Sequence, residues 1–125
     1  MAYVSGFLLA VPTANKDAYK KMAEAAWEVF RDHGCLALRE NWGVDVADGK
    51  VTSFPMAVQK KDDETVVFSW MEWPDKPTCD RAWKAMMEDP RMKEMRGMPF
   101  DGTRMMWGGF EPLVSLGQAA REAAA

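Results

Sequence analysis

The sequence predicts an α+β chain in which two helices alternate with four strands, and three observations carry that prediction. The runs 2–11 and 64–73 are apolar on both alternations, as strands covered on both faces are. The stretches 19–30 and 79–87 repeat their apolar residues at helical spacing. Glycine, proline and aspartate punctuate the junctions between them.

Taken in order, the first strand sets Tyr3, Phe7, Leu9 and Val11 on one side and Val4, Leu8 and Ala10 on the other. Asn15 then suits an N-cap, and Tyr19, Met22, Ala23, Ala26, Trp27 and Phe30 form one helical stripe that Gly34, after His33, brings to an end. Residues 35–46 alternate as a second strand, with Leu36, Leu38, Glu40, Trp42 and Val44 together on one side, before an Asp48-Gly49 turn. The piece 52–59 fits neither pattern, because Pro55 breaks a strand ladder and the segment is too short to show a helical period; it is read as an excursion. A third strand follows over 64–73, with Val66, Phe68 and Trp70 against Val67, Met71 and Trp73. A second helix then aligns Cys79, Ala82, Trp83, Met86 and Met87. Asp89-Pro90 stops it and opens a short further turn. Asp101-Gly102 introduces a last strand over 103–114, and an Ala-rich tail, 115–125, is expected to be frayed or a loosely docked helix.

Strand, helix, strand, strand, helix, strand is the split βαβ order of ferredoxin-like domains, an antiparallel four-stranded sheet with both helices on one face. Residues 1–114 are therefore read as a single such domain. The first and third strands are apolar on the face the helices leave open, which predicts a homodimer through the sheet faces and a barrel-like core with room for a small apolar or aromatic ligand.

Composition narrows the function classes. A chain of 125 residues supports one core. Its net charge of −3 offers phosphate backbones no general attraction, and Lys60-Lys61 is cancelled by Asp62-Asp63-Glu64, so nucleic acid is disfavoured. The apolar N-terminal run has no basic residues ahead of it and is too short to span a membrane. Cys35 and Cys79 form no CxxC, which suits a reduced cytoplasm and small core residues. Nine of the eleven methionines lie between Met56 and Met106, as filler of an irregular core or as the lining of a pocket or partner groove.

Several strings in this order carry a resemblance: ENW at 40–42, Asp45 with DGK at 48–50, VVFSW at 66–70, DPRM at 89–92, MPFDG at 98–102, and Arg104-Met105 with GGF at 108–110. Over about residues 2–114 the chain resembles the YbaA-like family of small bacterial proteins of unknown function. The resemblance implies the dimeric α/β-barrel superfamily, whose other branches include cofactor-independent monooxygenases and haem-degrading enzymes. It brings no catalytic residues to carry over. Some members of the family bear a label referring to a signal-recognition-particle RNA; RNA binding would show as a steep salt dependence and ranks last here on charge.

The candidate chemistry rests on few residues. Glu40 and Glu72 are lone carboxylates among apolar neighbours, each a general acid or base with a raised pKa, a partner of an arginine, or a group at an edge in water. Asp101 and Arg104 flank Gly102 and either hold a carboxylate or carbonyl ligand, or Asp101 simply sets a turn and Arg104 pairs with it or with a neighbouring acid. Trp42, Trp70, Trp73 and Trp107 form either an aromatic wall for a planar ligand or core and interface. Gly108-Gly109 within a strand implies a bulge at the dimer edge, or a ligand lying on the backbone. His33, the one histidine, suits a helix C-terminus and cannot build a multi-histidine metal site, and no metal or cofactor is expected. The reading is a cytoplasmic small-molecule-binding dimer, cofactor-independent monooxygenase-like in its enzymatic form, with Glu40 and Arg104 as catalytic candidates and Trp42, Trp70, Glu72, Asp101 and Trp107 as ligand contacts. The alternative is a non-catalytic structural or partner-binding homodimer whose contact surface is the Met-rich segment 86–98.

Overall fold

The computed structural model describes residues 2–95 and 97–117; the Ala-rich end, 118–125, lies outside the described residues. Four strands, β1 (Tyr3–Pro12), β2 (Ala37–Trp42), β3 (Glu64–Trp73) and β4 (Met106–Phe110), form one sheet in the order β2-β3-β1-β4. Every neighbouring pair is antiparallel. The two long helices are α1 (Lys16–Asp32) and α3 (Lys76–Glu88), with short helices α2 (Phe54–Ala57) and α4 (Pro90–Glu94) between and after them.

The register sorts the side chains. Phe7, Leu9 and Val11 of β1 share the helix face with Val67, Ser69, Met71 and Trp73 of β3 and with Leu38, Glu40 and Trp42 of β2. Val29 of α1 and Cys79, Ala82 and Met86 of α3 pack onto that face, and Trp73 at the centre is fully buried. Its indole N–H donates to the Ser5 hydroxyl at 3.1 Å, which is how a large ring with one polar atom sits in a core without cost.

The opposite face carries Leu8 and Ala10 of β1, Val66, Phe68 and Trp70 of β3, and Met106 and Phe110 of β4. One end of it is covered, because Val58, just after α2, packs on Ala10 and Val66. The rest is open: Phe68 is 46% exposed and Phe110 60%.

Caps explain most boundaries. Asp75 accepts from Thr78 N at 2.7 Å to start α3, and Asp89 accepts from Arg91 N at 2.9 Å to start α4. Ser53 accepts from Met56 N, and Pro55 sits in the first turn where its missing N–H is harmless, so the excursion contains a helical turn. Asn15 precedes α1 without capping it; its side-chain amide donates instead to Pro99 O at 2.9 Å and ties the helix start to the 97–101 loop. At the far end of α1, His33 Nε2 lies 3.0 Å from Asp89 Oδ2, and Arg91 bridges Asp89 and Asp32.

Three expectations from sequence are corrected. β2 ends at Trp42 and not near residue 46: Gly43 N–H makes a last bond to Val66 O at 2.9 Å, at an approach that leaves no room for a Cβ, and the chain then leaves the sheet. β4 is shorter than 103–114, since the Asp101 side chain winds Gly102–Arg104 into a 3-10 turn, and its pairing ends where Phe110 meets Val4 near the start of β1. Finally, no bulge interrupts Gly108-Gly109, whose register with β1 is continuous. The glycines serve side chains: the Tyr3 hydroxyl occupies the place of a Gly109 Cβ, while the Phe110 ring lies across Gly6 and Gly108 on the open face.

Candidate functional site

Between α1 and the inner face of β2 lies an open groove of about 1010 Å³, walled by Tyr19, Trp27, Leu38, Glu40 and Trp42. The sheet supplies Glu40 and Trp42 from one alternation of β2; the helix supplies Tyr19 from the stripe it buries. Tyr19 O–H donates to Glu40 Oε1 at 2.6 Å, and Ser69 stands directly across from Glu40 in β3. Glu40 as a residue is exposed at the groove mouth, while its carboxyl lies against the Tyr19 hydroxyl. Partial burial of the carboxyl raises its pKa above the ordinary glutamate range, against the opposing pull of the Tyr19 bond. Burial, then the charge and hydrogen bond of Glu40, push the Tyr19 phenol well above the usual tyrosine range, so the phenol keeps its proton. Lys16 Nζ stands 5.4 Å from the centre of the Trp42 ring at the rim.

The other sequence candidates occupy different places. Trp70 and Glu72 belong to the open face, where the Trp70 ring lies tilted against Phe68 at 5.5 Å between ring centres. Trp107 is on the inner side of β4, opposite Phe7, and is 70% exposed. Asp101 and Arg104 come together ahead of β4, where Arg104 Nε donates to Asp101 Oδ2 at 3.0 Å. The same guanidinium forks onto buried Glu64 at 2.8 and 2.5 Å and donates to Gln59 O at 2.9 Å, a residue held at φ +50°. Arg104 thus joins the turn before β4, the start of β3 and the end of α2.

That fork sets an acid limit. Hydrogen bonding to Arg104 lowers the Glu64 pKa from 4.5 to about 2, so the pair stabilises the fold fully above pH 4.5 and loses this contribution as pH falls towards 2. Glu64→Gln is expected to lower stability at neutral pH and to make the acid-unfolding curve shallower across that interval, as read by circular dichroism against pH.

Glu40 and Trp42 are thus the two sequence candidates brought into one groove, and sequence reasoning missed the Glu40 partner Tyr19. The signal for Tyr19 was present: a phenol on the buried stripe of a helix needs a partner for its hydroxyl. Among the described residues, no three His, Cys, Asp or Glu side chains group as ligands of a metal ion. No helix among them is long and apolar enough to cross a membrane.

Sheet order, two helices on one face and a groove beneath the first helix define an α+β protein of ferredoxin-like architecture. The fold is similar to the crystal structure of a dimeric ferredoxin-like protein from an uncultured marine organism, with a TM-score of 0.51 and 13% identity over 94% of this chain and 98% of that one. The chain belongs to the family described as "Protein of unknown function (DUF1428)", which matches residues 2–102. Relatives described as "Uncharacterized protein YbaA" in Escherichia coli (strain K12) and in Shigella flexneri are each 53% identical over 115 residues, covering 91% of this chain and 98% of theirs.

Proposed function

We propose that the protein is a homodimer, closed into a barrel by the open faces of two sheets, and that each subunit binds a small molecule in the α1–β2 groove. The observation that carries the binding reading is the Tyr19–Glu40 pair: a hydrogen-bonded carboxyl of raised pKa in a groove that Trp27, Leu38 and Trp42 also line. Such a site takes an aromatic or apolar body that presents one hydroxyl to Glu40. In the enzymatic form of the reading, Glu40 removes that proton, and the electron-rich anion left behind is the species a cofactor-independent oxygenation consumes. Arg104, fully engaged with Glu64 and Asp101, supports the domain and not the ligand in this reading. Free, buried Cys35 and Cys79 fit a reducing cytoplasm.

The test is a titration with 2-naphthol followed by NMR. Affinity should rise as pH passes upward through the raised Glu40 pKa, because the carboxylate is the acceptor. Glu40→Gln should weaken binding about tenfold or more and flatten the pH profile. Equal binding by the two proteins across pH sinks the role given to Glu40.

Support for the dimer comes from the open face. Four strands at about 4.8 Å spacing and about 3.3 Å per residue offer roughly 500 Å² in projection, and side-chain relief brings this towards the ~800 Å² per partner of a standard interface. The dimeric state of the marine ferredoxin-like protein is consistent with it. The partner-binding alternative draws on Met87 and Met98, which are 75% and 61% exposed. Polar substitution of these two would remove partner binding and leave 2-naphthol binding untouched.

A further inference from the structure

A second concavity of about 390 Å³ lies on the same face of the sheet at its other side, between β4 and α3. It is walled by Tyr3, Phe7, Trp83 and Trp107, with Ser5 and Cys79 at its floor. Trp107 points to the helix side of the sheet, where side chains normally meet a helix, yet α3 packs over β1 and β3 and leaves this indole 70% exposed. Facing it across the ladder is Phe7, whose ring is tilted against Trp83 at 6.2 Å between centres. Gly109 keeps the slot and its end wall: a Cβ there would overlap the Tyr3 hydroxyl.

The floor is polar in a specific way. The Ser5 oxygen accepts the Trp73 indole N–H at 3.1 Å, so its own proton is free to be donated. Its other neighbour is Cys79 Sγ at 3.5 Å, a contact in which either group can be the donor; sulfur is a weak partner in both roles, and a ligand oxygen would outcompete it. Among the described residues, the charged side chain lining the slot is Asp80, an acid paired with Lys76 at 2.7 Å, and none of those lining it is a cation that would welcome an anion.

We propose that this slot is a second ligand site, taking one flat, uncharged aromatic ring system that carries an oxygen acceptor. The rings of Trp107, Phe7 and Trp83 supply stacking area, and the Ser5 hydroxyl orients the ligand by donating to its oxygen. The volume suits a molecule of about two fused rings. This proposal is independent of the α1–β2 groove, which holds a carboxylate acceptor and so selects ligands with a hydroxyl to donate.

Calorimetric titration of the full-length protein with coumarin, and with naphthalene as its counterpart lacking an acceptor, tests it. Coumarin is expected to bind saturably and more tightly than naphthalene. Trp107→Ala should weaken coumarin about tenfold while the exposed position leaves the circular dichroism unchanged. Ser5→Ala should bring coumarin down to the level of naphthalene, and Trp107→Ala alone decides the matter if that variant does not fold. Glu40→Gln should leave coumarin binding intact. Absence of saturable coumarin binding, equal affinity in Trp107→Ala, or loss of binding in Glu40→Gln in place of Trp107→Ala overturns the proposal.

Discussion

Phe68→Glu is expected to turn the proposed dimer into a monomer without unfolding the subunit. Phe68 is half exposed on the open face, flanked by Phe54 at 5.9 Å and Trp70 at 5.5 Å between ring centres, so in the monomer its substitution exposes a charge to water and opens no cavity. In a twofold dimer the same change enters the interface twice, burying two like charges in an aromatic patch. An aromatic anchor at the centre of an interface is worth about 2 kcal/mol or more, and the added charge repulsion makes the dissociation constant rise by about a hundredfold at least. Sedimentation velocity at fixed concentration reads this directly. Val44→Glu, at a loop position 93% exposed, is the matched control and should leave the dimer alone. A wild-type protein that sediments as a monomer, or a Phe68→Glu protein that remains a dimer, removes the sheet-to-sheet assembly.

The largest effect on the subunit itself is expected from Trp73→Ala. Trp73 is fully buried beside Met71, Cys79 and Met86, and truncating it leaves a cavity that the sheet on one side and α3 on the other cannot close. The expected loss is about 3–5 kcal/mol, a large part of the ~5–15 kcal/mol that holds a domain of this size. Trp73→Phe separates the two contributions. It keeps most of the ring and removes the N–H given to Ser5, so its loss should be smaller than that of alanine. Guanidinium unfolding at a single protein concentration is the appropriate measurement, because the proposed dimerisation would link apparent stability to concentration. A Trp73→Ala protein within about 1 kcal/mol of wild type would show that the core repacks around the vacancy.

Much of this architecture was legible because it is written in local periodicity. The stripe from Tyr19 to Phe30 and the two-sided runs of β1 and β3 needed no partner to be recognised, and the Asp-Pro pairing at 89–90 states its own cap. Glu40 and Trp42 were legible as a pair for the same reason, since residues two apart on a strand share a face. What escaped the sequence depends on residues distant along the chain. Gly108-Gly109 reads as a bulge until Tyr3 and Phe110 are seen to occupy the space where its side chains would be. Asn15 reads as a cap until the 97–101 loop offers it Pro99 O. Tyr19 reads as core until β2 brings a carboxylate under it. Trp42, Trp70 and Trp107 all lie on strands, but strand order and facing, which place them in three different surroundings, are tertiary facts.

The central place of β1 in the sheet sets a timetable for synthesis. β1 is the first strand to leave the ribosome, yet its two neighbours are β3 and β4, so its ladder with β4 cannot form until residues 106–110 have emerged. Throughout that interval an apolar strand has an open edge and an unfinished covering, the condition in which nascent chains recruit holding chaperones or stick to one another. The Arg104 fork to Glu64 likewise waits until the segment that leads into β4 has emerged. Ribosomes stalled before codon 104 should therefore display a protease-sensitive β1, and those stalled with β4 clear of the exit tunnel a protected one.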